Sequence, residues 1–306
     1  MKQQVPRSNR SPFGFAGEKV IEACIWLSGW SSIICVTAIF LFMCATAAPI
    51  MPDIDWVEFF TSTHWQANPD NGVVRHGALA LIVGNFAVAL LAMVMAVPLG
   101  LGAAVYISEF AGKRTKDWLK IAIEILAAIP SIVWGFIGIT IIGPLLQKYT
   151  GAVMGNNLLN GAIVLALMSV PLIVSISEDA LRAVPDSYRE AALALGANKW
   201  ETVSRVLFPA AKTGLLAACM LGVGRAVGET MAVLMCTGNT TQIPHSLVDP
   251  ISTLTARIAQ DMGDATDGGP VYRSLFVLGV LLLVITFVIN MAADYFIRGN
   301  KAKMRQ

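Results

Sequence analysis

Three features of the 306-residue sequence predict an all-α membrane protein with six transmembrane helices. The first is composition: 56% of the residues are hydrophobic and only 14% are charged, whereas soluble domains carry about 25% charged residues. The second is a series of six long stretches with few or no charged residues. The third is a strong bias of lysine and arginine toward alternate connections between these stretches. The mean hydropathy of +0.65 likewise argues against an ordinary soluble enzyme.

Each charge-poor stretch is long enough for a membrane-spanning helix, which needs about 20 mostly apolar residues. The first stretch holds 30 residues without Asp, Glu, Lys or Arg. The fifth, between Lys212 and Asp249, is interrupted only by Arg225 and Glu229. We therefore predict spans at residues 24–48, 78–107, 119–143, 158–176, 214–237 and 274–297.

The distribution of basic residues predicts the orientation of these spans. Of the 22 lysines and arginines, 17 lie in the two termini and in the connections after the second and fourth spans, and only 4 lie in the alternate connections. Because cytoplasmic loops are enriched in Lys and Arg, both termini are predicted to be cytoplasmic, in a multi-pass protein of the cell (inner) membrane. The chain then divides into an N-terminal cytoplasmic segment (1–23), a six-helix domain (24–297) and a cytoplasmic tail (298–306).

The sequence lacks the signatures of several other functions. Its five cysteines form no CxxC pair and no cysteine–histidine cluster, so neither a zinc site nor a disulfide framework is predicted. It contains no GxxxxGK[ST] phosphate loop, so any ATP would be bound by another polypeptide. The net charge of +2 does not indicate nucleic acid as a partner. We therefore predict no catalytic residue, metal or cofactor in this chain.

The basic connection between the fourth and fifth spans, residues 177–213, is predicted to form two short helices. A helix can start at 185–187, continue through residues rich in helix formers and end at Gly196. A second helical pattern then begins at Asn198 and continues to Pro209. From composition alone, this segment is either a compact cytoplasmic knob or a simple connector.

A motif of fixed spacing lies in this connection. Glu190, Ala191 and Ala192 are followed after three residues by Gly196 and, after nine more, by Val-Leu-Phe-Pro at 206–209. The pattern resembles the EAA loop of ABC importer permeases, which ends in Ile-x-Leu-Pro. The resemblance implies the type I ABC importer permease fold and a coupling helix that sits in a groove of a separate ATPase subunit. A rigid helix there would transmit a displacement that a flexible loop would absorb.

The fifth span contains an arginine and a glutamate within a glycine-rich apolar run, residues 221–233. An arginine at the centre of a span costs about 2.5–3.5 kcal/mol on insertion scales, so Arg225 should face the bundle interior or a watery path. Glu229 lies four residues further on, one helical turn away, and can pair with it. One interpretation is an ion pair that fixes helix packing. The other is a gated anion site, in which the planar donors of Arg225 bind an oxyanion and Glu229 holds the arginine when the path is empty.

Two runs resemble the permeases of the high-affinity phosphate ABC importer: GVGRAVGETMAV at 222–233 and EILAAIPSIVWG at 124–135. The first outer loop, with aromatic residues before Asn68 and Pro69, resembles the PstC-type subunit more than the PstA type. On this resemblance we assign four residues to the substrate path: Arg225, Glu229, Ser131 and Thr230.

The resemblance also implies partners. They are a second homologous permease of the PstA type, an ATPase dimer of the PstB type that binds the ATP, and an extracytoplasmic phosphate-binding protein of the PstS type, all assembled at the lipid bilayer. The function implied is ATP-driven import of inorganic phosphate. The alternatives are a permease of the same family for molybdate, sulfate or phosphonate, a secondary transporter, and a membrane scaffold in which Arg225 and Glu229 are purely structural.

The basic-residue bias generates a prediction about topology. In a cysteine-free background, single cysteines at Ser62 and Thr266 should react with a membrane-impermeant thiol reagent added from outside, and one at Asn198 should not. Labelling of intact cells, with permeabilised cells as the positive control for Asn198, makes the measurement. Labelling of the Asn198 variant in intact cells would reverse the orientation.

Overall fold

The computed structural model describes the backbone of residues 12–66 and 75–303 and the side chains of residues 19–66 and 75–295. The described chain is almost entirely helical. Its α-helices are α1 Pro12–Ala47, α2 Trp56–Thr61, α3 Leu79–Val105, α4 Lys113–Ala128, α5 Ser131–Ile137, α6 Gly143–Thr150, α7 Leu158–Arg182, α8 Asp186–Ala194, α9 Lys199–Thr202, α10 Phe208–Val227, α11 Met231–Cys236, α12 Leu254–Met262 and α13 Pro270–Lys303. Strands β1 Trp65–Gln66 and β2 Arg75–His76 form a short antiparallel pair.

Among the described residues, six helical segments are long and apolar enough to cross a membrane. The predicted number of spans is therefore confirmed. In two of these segments a π-helical turn joins neighbouring helices, at Gly138–Ile142 and Val203–Leu207, and a third such turn, Tyr106–Phe110, ends the second span. The spans are Lys19–Ala47, Leu79–Phe110, Ser131–Thr150, Leu158–Arg182, Lys199–Val227 and Pro270–Tyr295.

The third span starts later than the sequence analysis predicted. The predicted span, 119–143, begins within α4, but α4 ends at Ala128 and the apolar segment is Ser131–Thr150. Pro130 lacks a backbone N–H and disfavours helical geometry in the residue before it, and Ile129 accordingly adopts φ −66° and ψ 124°. The charge-free gap was located correctly, but the chain breaks inside the predicted window.

The core of the bundle is the packing of α3 against α7. A Cβ atom on Gly100 of α3 would lie only 2.6 Å from Cγ2 of the fully buried Ile173 of α7, so glycine permits this close approach. Pro98 and Pro171 lie inside these two helices, each of which continues past its proline. Helix α1 is peripheral and packs along α13, where Met43 approaches Gly279.

The two ends of the bundle differ in structure. One end, which we call the α12 end, carries α2, the β1–β2 pair and α12; the opposite end, the α8 end, carries the start of α4 together with α8 and α9. At the α12 end the indole Nε1 of Trp65 donates a hydrogen bond of 3.1 Å to Asp261, which also pairs with Arg257. The connection that contains β1 and β2 is thus hydrogen-bonded to the connection that contains α12.

The connection from residue 238 to residue 269 is not a simple solvated loop. Residues 251–256 are buried, and Ile251 bridges to Gly238, which lies just after α11. Backbone can enter a membrane bundle in this way only where protein surrounds it. The segment therefore turns back into the bundle, and α12 begins inside its buried part.

Some features of the sequence analysis lie outside the described residues. They are the basic residues Lys2, Arg7, Arg10 and Arg305 and the Asn68–Pro69 pair of the first outer loop. Helix α1 begins at Pro12 and α13 extends to Lys303, so helix continues beyond both predicted domain boundaries, 23 and 298.

Candidate functional site

The fifth span is broken beside its charged residues. Helix α10 ends at Val227, residues 228–230 are not helical, and α11 starts at Met231. The predicted continuous helix over 214–237 is therefore wrong, and Arg225 lies in the last turn of α10 instead of at the centre of a span. Gly228 (φ −93°, ψ 0°) is where the helix stops.

The break changes the relation between Arg225 and Glu229. The predicted pairing needs both residues one turn apart on one helix, and the helix ends between them. Among the described ion pairs, none joins the two side chains. Glu229 Oε1 instead accepts a 3.4 Å hydrogen bond from the backbone N–H of Ala232, in the first turn of α11. The carboxylate thus caps the helix that follows the break and leaves the guanidinium free of it.

Two polar side chains from other elements hold the broken backbone. Asn85 of α3, although it lies inside a span, is buried and its amide donates a 3.4 Å hydrogen bond to the carbonyl of Val227. Thr255 of α12 donates a 2.7 Å bond from its hydroxyl to the carbonyl of Glu229. These bonds satisfy carbonyl groups that the end of a helix leaves without partners. The sequence offered one signal for this role, an asparagine inside an apolar span.

Helix α11 packs beside α5 and the turn that follows it. A Cβ atom on Gly135 would lie 2.6 Å from Met235 Sδ, and Gly138 packs against Cys236. These contacts lie at the last two residues of α11, and Cys236 also approaches the carbonyl of Gly135. Ser131 is the first residue of α5 and Thr230 immediately precedes α11; both are half-buried. The structure thus brings two predicted path residues to two neighbouring helix starts.

Arg225 faces away from the core of its own chain. Its side chain is exposed, and the neighbouring Gly224 lies against α13, where a Cβ atom would be 3.6 Å from Oδ1 of Asn290. Asn290 is also exposed, and no hydrogen bond of its side chain is found among the described contacts. An arginine and an amide within apolar spans cannot face lipid cheaply. This polar surface needs water, a solute or another chain as its neighbour. Asn290 was not among the predicted path residues.

The predicted coupling motif forms the short helix expected of it. Helix α8 spans Asp186–Ala194 and Gly196 follows with φ +84°, a left-handed conformation that favours glycine. The backbone N–H of Gly196 donates to the carbonyl of Leu193 and that of Ala197 to the carbonyl of Ala192, which closes the helix. The next helix, α9, starts with a reciprocal capping box between Asn198 and Glu201. The first predicted helix and the junction at Gly196 are confirmed. The second helix does not end at Pro209 as predicted, because α9 continues through Val203–Leu207 into α10, so the fifth span starts at Lys199 and not at residue 214.

The motif residues divide between the surface and the interior. Glu190, Ala191 and Gly196 are exposed, whereas Ala192 is buried. No atom lies within 4 Å of a Cβ built on Gly196, so its backbone conformation, not crowding, requires glycine there. Several large apolar side chains stand exposed beside the motif; they are Leu193, Leu195 and Trp200, of which Leu195 is 89% exposed. Apolar side chains at such a protruding loop are typical of a surface that another protein covers.

These features define a class of protein: a multi-span membrane transport subunit with a broken, polar fifth span and a structured connection, which contains α8, at the α8 end. Solved structures show the same fold. A chain of a bacterial ABC transporter that imports the polysaccharide alginate matches with a TM-score of 0.63 and 13% identity, over 92% of this chain and 98% of that one. A chain of the MetNI methionine ABC transporter, in an inward-facing conformation, matches with a TM-score of 0.55 and 21% identity, over 73% and 94%. The fold is that of type I ABC importer permeases.

The chain belongs to the family of binding-protein-dependent transport system inner membrane components, whose model matches residues 96–305. A probable ABC transporter permease protein of Bacillus subtilis, YqgH, is 38% identical over 295 residues, which is 96% of this chain and 94% of that protein. The phosphate transport system permease protein PstC of Mesorhizobium japonicum is 36% identical over 80% of this chain and 79% of its own length. The PstC protein of Haemophilus influenzae is 36% identical over 76% and 78%. The protein is therefore a transport subunit and not an enzyme.

The support of the break generates a prediction. Thr255→Val removes the hydroxyl that bonds to both the Glu229 carbonyl and the Thr253 hydroxyl, and it should destabilise the protein by about 1–3 kcal/mol, the usual net value of two hydrogen bonds. Thr286→Val is the matched control, because that hydroxyl bonds only to Leu282 within its own helix. Thermal unfolding of the purified protein in detergent measures both. Equal midpoints for the two variants would show that the Thr255 bond does not support the break.

Proposed function

We propose that this chain is the PstC-type permease subunit of an ATP-driven importer of inorganic phosphate. The observation that carries the proposal is the similarity to PstC phosphate permeases over three quarters or more of the chain. An exposed arginine within a membrane span supports an anionic solute. The subunit forms half of the translocation path and a PstA-type permease forms the other half. An extracytoplasmic PstS-type protein delivers the phosphate.

In this proposal Arg225 binds the phosphate in transit. Its guanidinium presents planar, paired N–H donors that match two oxygens of a phosphate, and no carboxylate of the described chain neutralises it. Ser131 and Thr230, at two adjacent helix starts, supply hydroxyl donors, and the N-terminal ends of helices favour negative charge. Glu229, as the cap of α11, stabilises the break and limits how tightly an anion can be held there. Transport needs binding that is weak enough to release the solute.

The α8 end is proposed to be cytoplasmic and to contact a PstB-type ATPase dimer. The basic residues of the connections support this orientation. The exposed face of α8, with Glu190 and Ala191, and the apolar side chains Leu195 and Trp200 form the contact surface. ATP is bound and hydrolysed by the ATPase subunits, and this chain needs no cofactor of its own.

The coupling assignment generates a prediction for the complete complex. Glu190→Lys reverses the charge at the proposed ATPase contact, and Gly196→Leu places a side chain where φ is +84°. Each should reduce phosphate uptake by about tenfold or more while the subunit still reaches the membrane, because neither residue lies in the core. Ser187→Lys, an exposed change at the start of the same helix, is the control. Normal uptake by both variants would leave α8 a simple connector.

The anion-binding assignment generates a second prediction. Arg225→Gln should abolish phosphate uptake with assembly intact, and Arg225→Lys should be impaired as well, because a point charge cannot reproduce the paired donors. Glu229→Gln should retain partial uptake or leak, since the amide oxygen can still cap α11. Lys212→Gln, at an exposed basic residue of the same helix, should transport normally.

The double variant Arg225→Gln/Glu229→Gln separates this assignment from a structural one. If Arg225 binds the anion, the double variant stays inactive; full uptake by it would show that the two charges only support packing. Uptake of labelled phosphate, with sulfate and molybdate as competitors, also tests the substrate. Inhibition by either competitor in preference to unlabelled phosphate would assign the permease to that oxyanion.

A further inference from the structure

A saturated arginine fixes the coupling helix to the rest of the bundle. Arg189, the residue before the EAA motif, makes five hydrogen bonds, one for each N–H of its guanidinium. Two go to Glu109, from Nε at 3.2 Å and from Nη2 at 2.9 Å. Two more go to the carbonyls of Leu181 and Val184, at the end of α7 and just beyond it. Only the fifth partner, Asp186, is exposed, at 87% of its side chain.

Glu109 lies at the end of the second span. It belongs to the π-helical turn Tyr106–Phe110 that continues α3, and Ser108 donates a further 2.7 Å hydrogen bond to it. The side chains of Glu109 and Arg189 are only 12% and 19% exposed. The bond to Glu109 raises the pKa of Arg189 above its usual value, although burial opposes that shift. A partly buried, two-point pair of this kind is stiffer and stronger than a surface ion pair.

A second carboxylate extends the arrangement to α4. Glu178 of α7 is almost fully buried and pairs with Lys116 at 2.8 Å and with Lys120 at 2.7 Å, both on α4. The two pairs meet on α7, because Glu178 lies one helical turn before Leu181, whose carbonyl accepts a hydrogen bond from Arg189. Glu109, Lys116, Lys120, Glu178 and Arg189 therefore form one ionic cluster, which we call the ionic joint. It connects α8 to the ends of α3, α4 and α7.

The joint and the exposed motif occupy different surfaces of α8. Glu190 and Ala191 are exposed for a partner, whereas the adjacent Arg189 turns inward to Glu109. Docking of an ATPase and transmission of its movement thus depend on different residues. Removing one member of a buried pair leaves the other charge without compensation, so the joint resists being opened.

We propose that the ionic joint transmits the displacement of α8 to the ends of α3, α4 and α7, with Arg189 and Glu109 as positioning residues for coupled transport. The inference rests on the proposed coupling function of α8. Since α3 also carries Asn85, which holds the break beside Arg225, the same helix links the joint to the candidate path. A shift of α8 that moves α3 as a rigid element therefore reaches the path directly.

The test uses the complete transporter in proteoliposomes, with partner permease, ATPase subunits and binding protein. Glu109→Gln keeps the shape of the side chain and removes the charge. It should leave the recovery of ATPase subunits unchanged and raise the ATP hydrolysed per phosphate imported by about tenfold, the size expected for one charge-assisted hydrogen bond. Arg189→Lys should raise the same ratio less, because it keeps the charge but loses the two-point geometry and the carbonyl bonds. Asp186→Asn, which touches only the exposed partner, should leave the ratio unchanged.

Two outcomes would overturn the proposal. One is a normal ratio in both Glu109→Gln and Arg189→Lys. The other is a loss of assembled complex with an unchanged ratio in the complex that remains, which would make the joint purely structural. Glu190→Lys serves as the contrast, since it should lower the recovery of ATPase subunits, which Glu109→Gln leaves unchanged.

A further measurement separates failure of the joint from failure of the proposed function. A spin label at Tyr106, exposed on the turn that carries Glu109, should change its mobility when ATP and vanadate are added to the wild-type complex. That change should disappear in the Glu109→Gln variant. If the wild-type complex imports no phosphate, the proposed substrate is wrong. The spin label still shows whether the ionic joint transmits the displacement of α8. A label response that persists unchanged in the variant overturns the joint.

Discussion

Inside a lipid bilayer every backbone N–H and C=O group needs a partner within the protein, and the candidate path depends on how this chain meets that requirement. A break in the fifth span exposes carbonyl groups at Val227 and Glu229, and side chains from two other elements cover them. One partner is a buried asparagine of α3; the other is a threonine on a segment that turns back into the bundle. Without them a non-helical stretch at this depth would carry a large desolvation cost.

The break also changes what the two charged residues of this span do. On a continuous helix Arg225 and Glu229 would neutralise each other, whereas the break directs Glu229 to cap α11 and leaves Arg225 exposed. The break in the backbone thus separates two charges that would otherwise pair and leaves the guanidinium of Arg225 exposed. The support that α3 gives to the break places the same helix between this cation and the ionic joint at the α8 end.

The fold could be predicted from the sequence where local rules act alone. Charge-poor gaps indicated the six spans, because ionised side chains are costly in lipid. The position of Gly196 indicated where α8 ends, because this residue adopts a positive φ that favours glycine. The break in the fifth span could not be predicted in this way. Its supports, Asn85 and Thr255, lie 142 and 26 residues from the carbonyls they bond, so no local pattern connects them. The third span starts later than predicted because a count of charged residues does not include the effect of Pro130 on the backbone of Ile129.

The surfaces that this chain leaves exposed separate into two chemical kinds. Helix α1 presents large apolar side chains such as Trp26, Leu27 and Trp30, which lipid can solvate without cost. The faces of α10 and α13 present Arg225 and Asn290, which lipid cannot satisfy. A single chain of this fold therefore has one side suited to the bilayer and another that is complete only against water, a solute and a second subunit. In the transporter proposed above, the polar side meets the second permease, and Arg225 would lie on the side where phosphate passes.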